Sequence, residues 1–187
     1  MSVSIKSTKL SEIIRPVMNG FKFLKLHSSY IQNYLREFNI RNPIHITFTE
    51  KQSIQVKSDN GITIVKLTDD LSRKNFNHFL NLLNREIYKN SFQRFKKRIK
   101  SYVIQEYDNT HRHHLHTILE IPNHYSVKEF TLLVKQCWYK TDFGDKQVDC
   151  YVPKTKEERV TWIYYLHKKR TKLDYQDFVD WRNSYSQ

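Results

Sequence analysis

Glycine and proline are scarce in this chain, with three Gly and four Pro among 187 residues. That scarcity excludes a collagen-like, low-complexity or loop-dominated chain, because those compositions depend on one or both residue types. Cysteine is scarcer still. Cys137 and Cys150 stand apart with no C-x-x-C pair, which argues against a zinc ribbon. No signal peptide or long apolar run is visible, so the chain is expected to be soluble and not secreted, with no membrane partner and both thiols reduced. The expected compartment is the bacterial cytoplasm, or the host cell if the source is viral.

Acidic residues are also in short supply. Nineteen Asp and Glu face 32 Lys and Arg, giving a formal net charge of +13 and a pI near 9.7. Such an excess favours polyanionic partners, nucleic acid first and an acidic membrane surface second. The basic residues fall in short clusters, chiefly Arg94, Lys96, Lys97, Arg98 and Lys100, and Lys168, Lys169, Arg170 and Lys172. The plainer reading of such clusters is a solvated basic surface. Apolar residues at 39% and aromatics at 14% suffice for the core of one domain.

Hydrophobic spacing gives a coarse map. Residues 11–38 carry apolar positions at helical spacing, interrupted at Asn19-Gly20 and ended by Arg41-Asn42-Pro43. They form an N-terminal helical extension over 1–42, and the main domain spans 43–187. Ile44 to Thr49 alternates and reads as a strand. Ile54–Lys57 and Ile62–Leu67 read as a hairpin turned at Asp59-Asn60-Gly61. Phe76, Phe79, Leu80, Leu83 and Ile87 share one helical face, with Ser72 as the start signal. Tyr102–Glu106 and His114–Ile121 read as strands joined through a polar turn at Asp108-Asn109-Thr110. A helix from Ser126 runs through Phe130, Leu133, Val134 and Trp138. Gln147–Val152 is a further strand, and a last helix starts near Thr155 with Glu157 and Glu158 in its first turn. Strands mixed with helices on one face predict an α+β sandwich with an antiparallel sheet.

Two constellations carry chemistry. His114 and His116 flank Leu115 on a strand, so both imidazoles project from one face while Leu115 turns to the core. Glu106, on the preceding strand, can join them as a third ligand. Two nitrogens and a carboxylate leave positions open for water or phosphate, which suits Mg²⁺ or Mn²⁺ acting as a Lewis acid. The bland alternative is a tract of surface histidines. His113 is expected to face away, and His111 to sit in the turn within reach of phosphate. The second constellation is Val160 to Arg170, a helix on which Tyr165 and Lys168 share a face. A tyrosine attacking a phosphodiester needs its proton removed and the phosphate charge offset. Tyr164 points about 100° away from Tyr165. It reads as packing, DNA stacking or an alternative nucleophile.

Glu106 with His114-Leu115-His116, followed by Tyr165-Leu166-His167-Lys168, resembles the motif order of the HUH endonuclease superfamily, which includes rolling-circle replication initiators, relaxases and some transposases. Ile44–Thr49 resembles its first motif. Leu82–Arg85, Arg94–Arg98, Cys137–Gly144 and Trp162–Tyr165 resemble short replication (Rep-like) proteins of bacterial mobile elements, so the likeness covers about residues 43–183. The resemblance implies a sheet of about five antiparallel strands flanked by helices, with the His pair on a central strand facing the tyrosine helix. It implies that Tyr165 attacks single-stranded DNA at an origin or hairpin, forming a 5′-phosphotyrosine and freeing a 3′-OH, with any helicase supplied by a partner. Arg94, Lys96, Lys97, Arg98, Lys169 and Arg170 are the expected DNA contacts. A single-tyrosine transposase and a DNA-binding module with a decayed site are the competing readings. An RNA-binding protein is a third, with no stacking motif to support it.

Overall fold

Alternating branched and polar residues make Pro43–Glu50 a strand, β1, whose even-numbered side chains Ile44, Ile46, Phe48 and Glu50 are all buried. It is one of the two inner strands of a sheet formed with β4 (Ser101–Tyr107), β5 (His113–Glu120) and β6 (Gly144–Tyr151), in the order β4-β5-β1-β6 and antiparallel throughout. This computed structural model describes residues 40–59, 61–107, 112–155, 157–159, 161–162 and 179–185. Most of the expected N-terminal extension, the turn at 108–111 and the segment 163–178 therefore lie outside the described residues.

The architecture is α+β, with four strands in the main sheet among the described residues rather than about five. The hairpin β2 (Ser53–Ser58) and β3 (Gly61–Lys66) forms a two-stranded sheet of its own. Its composition explains the separation. Polar side chains alternate along β2, and Ile62 and Ile64 are more than 60% exposed, so neither face is fully covered. At the other side of the main sheet, residues 179–185 run beside β4 without forming a strand. Val179 bridges Ile104, and Ser101 and Tyr185 exchange both backbone hydrogen bonds at 2.8 and 2.7 Å.

Two long helices cover one face of the sheet. The first, α1 (Asp69–Tyr88), begins at Thr68, whose hydroxyl accepts from Leu71 N at 3.3 Å, with Asp69 and Asp70 in the first turn. The start expected at Ser72 is thus one turn too late. Ser72 is fully buried and gives its hydroxyl to Glu50 Oε2 at 2.6 Å, a bond a solvent-facing cap could not make. A short helix, α2 (Asn90–Phe95), follows. The third, α3 (Val127–Tyr139), starts at Ser126 as expected, where Ser126 and Glu129 cap each other's backbone reciprocally. Phe48 lies 5.8, 5.0 and 4.5 Å from the ring centres of Phe76, Phe79 and Trp138. Those four buried aromatics join β1, α1 and α3 into one core, each contributing about 1.5–3 kcal/mol or more by leaving water. No helix among the described residues is long and apolar enough to cross a membrane.

Two features of this core yield tests. A Cβ on Gly144, where β6 leaves α3, would stand 2.1 Å from Trp138 O and 2.7 Å from Thr141 Oγ1. Gly144→Ala should cost about 2 kcal/mol or more, read as a lower denaturant midpoint with unchanged slope. Burial raises the Glu50 carboxyl to about 7, although Ser72 and His114 pull it down. The unfolded chain then releases the Glu50 proton from about pH 4.5 upward, whereas the folded chain holds it to about 7. Native stability drops across that window. Glu50→Gln should remove this slope, gaining on the order of 1–3 kcal/mol over the native protein between pH 4.5 and 7 in parallel urea titrations.

Candidate metal centre

Strand parity decides which side chains meet on the sheet's second face. Residues directly opposite in an antiparallel ladder share a face. Glu106 pairs with His114, and His114 with Thr49; Ile104 pairs with His116, and His116 with Thr47. Glu106, His114 and His116 therefore project together, away from α1 and α3. Leu115, between the histidines, is fully buried on the helix side, as expected from the alternation.

The three groups converge. Glu106 Oε2 lies 2.7 Å from His116 Nε2 and 3.6 Å from His114 Nε2, and one donor atom from each residue lies within 4.8 Å of the others. Donors sharing one ion at about 2.0–2.2 Å stand roughly 3–4 Å apart, so the cluster closes on an ion with side-chain shifts of under about an ångström. The side chains are 11, 22 and 7% exposed in the order Glu106, His114, His116, sheltered yet open on one side. Two imidazoles and a carboxylate can hold a divalent cation, and this donor set accepts several first-row metals as readily as Mg²⁺.

Neighbours fix the ligands in place. Thr47 Oγ1 lies 3.1 Å from His116 Nδ1. A hydroxyl can give or take a proton here. It donates to Nδ1 while Nε2–H faces Glu106, and accepts from Nδ1–H once Nε2 offers its lone pair to an ion. Gln52 acts on the backbone. Its Nε2 donates to His113 O at 3.3 Å and to Glu50 O at 2.6 Å, while His113 N donates to its Oε1 at 2.9 Å. This side-chain amide continues the β1–β5 ladder past Thr49 and holds the start of the histidine strand. On β4, Gln105 accepts from Arg73 Nε at 2.9 Å and donates to Asp69 O, tying the residue beside Glu106 to the first turn of α1.

The last helix reaches this face. Thr155 Oγ1 accepts from Glu158 N at 3.1 Å, Glu158 accepts from Lys154 N at 2.7 Å, and residues 157–159 and 161–162 are helical. The start near Thr155 is therefore as expected. Trp162 stacks on His45 with ring centres 4.2 Å apart and meets His116 edge-on at 5.9 Å. His45 is 1% exposed, and burial followed by the charge of Arg159 lowers its pKa to about 4, so it stays neutral under the stack.

Tyr164, Tyr165, Lys168, Lys169, Arg170 and His111 lie outside the described residues. Arg94, Lys96 and Lys97 are exposed around α2, and Arg98 packs over Phe92 at 5.0 Å while donating to Asn81. The segment leads into β4 at Ser101, and Glu106 lies five residues further on, about 16 Å along the strand. These cations are thus at the opposite end of β4 from the cluster. Thr47, Gln52, His45 and Trp162 carried no assigned role in the sequence. Parity with His45 marks Thr47 as facing the cluster; Gln52 had no local signal at all.

Thr47→Val removes the partner of His116 Nδ1 with little change in shape. It should weaken Mn²⁺ binding about 10–100-fold by titration calorimetry, and His116→Ala should abolish it. Equal affinity in native protein and His116→Ala would place the ion elsewhere.

No family model matches the chain, and no curated protein and no solved structure matches it either.

Proposed function

We propose that this chain nicks and rejoins single-stranded DNA, with Tyr165 as nucleophile and Mn²⁺ or Mg²⁺ as the ion held by Glu106, His114 and His116. One observation carries the proposal: a carboxylate and two imidazoles meet on the open face of an antiparallel sheet, and the helix preceding Tyr165 in sequence lies against that face through Trp162. Trp162 is three residues before Tyr165 in sequence. This arrangement supports an HUH-like reading of the α+β fold, in which a tyrosine helix crosses the histidine strand.

When bound, the ion would draw charge from a phosphodiester oxygen. The rest falls to the chain. The Tyr165 oxygen gives up its proton and bonds to phosphorus as the bond to O3′ breaks, and the departing oxygen takes up a proton to become a 3′-OH, so the proton count is unchanged. Lys168, three residues on in sequence, offsets phosphate charge. Because one phosphodiester replaces another, attack by a second 3′-OH reverses the step and joins strands. Exposed cations about α2, with Phe95 76% exposed among them, offer a further track for the strand.

The test is incubation with labelled single-stranded DNA libraries and Mn²⁺. A covalent protein–DNA adduct is expected, lost in Tyr165→Phe and His116→Ala and kept in Tyr164→Phe. Salt-sensitive binding without an adduct on any DNA would replace this reading with a binding module.

A further inference from the structure

A cavity of about 570 Å³ opens at the end of the sheet remote from the Glu106–His114 pair, where β1 begins and β5 leaves for α3. Asn42, Tyr125, Val127, Val152, Pro153 and Arg159 are among its walls. Its volume is in the range of small-ligand sites. Arg159 is the unusual member. Among the described residues its Nε is buried without a hydrogen-bond partner, its Nη1 reaches the Arg41 carbonyl at 3.5 Å, and no carboxylate forms an ion pair with it. The carboxylates at this end are engaged already. Glu158 accepts from Tyr151 OH and Lys154 N, Glu129 closes the α3 cap, and Glu120 accepts from Arg41 N. A part-buried guanidinium with unused donors is costly unless an anion completes it.

The cavity is coupled to the metal face. Arg159 and Trp162 are three apart on one helical stretch, so Arg159 walls the cavity while Trp162 covers His45 and His116. Along β1, Pro43 walls the cavity and Thr47 bonds His116, four residues or about 13 Å away. A short stretch of extended single strand spans that distance.

We propose that this cavity is a nucleotide subsite, resting on the strand-cleavage reading above: it takes one unstacked base of the bound strand against Tyr125, Val152 and Pro153, with the adjoining phosphate on Arg159. The apolar walls supply the area for a base, and the unpaired guanidinium supplies the anion contact. The subsite fixes which phosphate reaches the metal face, because the occupied nucleotide sets the register of the strand.

The test uses the full chain without metal, so that binding is read apart from cleavage. Thymidine 5′-monophosphate should shift the backbone amides of Asn123, Ser126, Val127 and Arg159, with thymidine or inorganic phosphate alone giving weaker shifts. Arg159→Met should erase the advantage of the nucleotide over thymidine. Val127 is 48% exposed at the wall, so Val127→Trp fills the cavity without disturbing the core. It should weaken binding of labelled oligo-dT about tenfold at an unchanged melting temperature. Native affinity in Val127→Trp, nucleotide shifts confined to other residues, or phosphate shifts as large as those of the nucleotide would each overturn the subsite. Adduct formation by native protein alongside unaltered Val127→Trp affinity would remove the subsite and leave cleavage standing. Nucleotide shifts in the cavity with no adduct on any DNA would do the reverse.

Discussion

The pairing register between β4 and β5 is the constraint on which the candidate site depends. Glu106 stands opposite His114 because the ladder places Ser101 against Leu119 and keeps step to the end. Side chains alternate with a period of two, so a slip of one residue would turn Glu106 toward the helices and leave the imidazoles without their carboxylate. The helix-side face enforces the register. Val103, Leu115 and Leu119 must enter the core, and Gln105 is held by Arg73 and the Asp69 carbonyl. The polar cluster is therefore positioned by apolar packing on the other side of the same strands.

Much of this was legible from residue pattern. The H-x-H spacing fixed the shared direction of the imidazoles, and Leu115 between them confirmed the alternation. The buried face of α1 followed from 3.6-residue periodicity, and the start of α3 at Ser126 was read from the sequence. What escaped the pattern has physical reasons. Ser72 has the chemistry of a helix start, but tertiary burial gave its hydroxyl to Glu50, while Thr68 caps the helix locally. The hairpin was legible, but its separation from the main sheet was not, because strand signals do not specify pairing partners. Gln52 works through an amide that completes a backbone ladder across 61 residues of sequence, a separation no local signal reports.

The helix at Thr155 and the metal face are joined by rings rather than by charge. Trp162 lies on a neutral, buried His45 and reaches the edge of His116. Acid that protonated His45 would place a cation beside Arg159 under an indole, with no described carboxylate there to receive it. The aromatic contact and the protonation state of His45 thus depend on each other, and both bear on how the last helix meets the histidine strand.

The alignment of residues 179–185 with β4 has a consequence for how copies of this protein coexist. A flat outermost strand is a template on which other chains can polymerise. Here Tyr185 and Val179 occupy that template at Ser101 and Ile104. The strand carrying the carboxylate of the candidate metal site is thereby shielded along much of its outer side, so a segment distant in sequence from the cluster helps to keep molecules from zipping together through it.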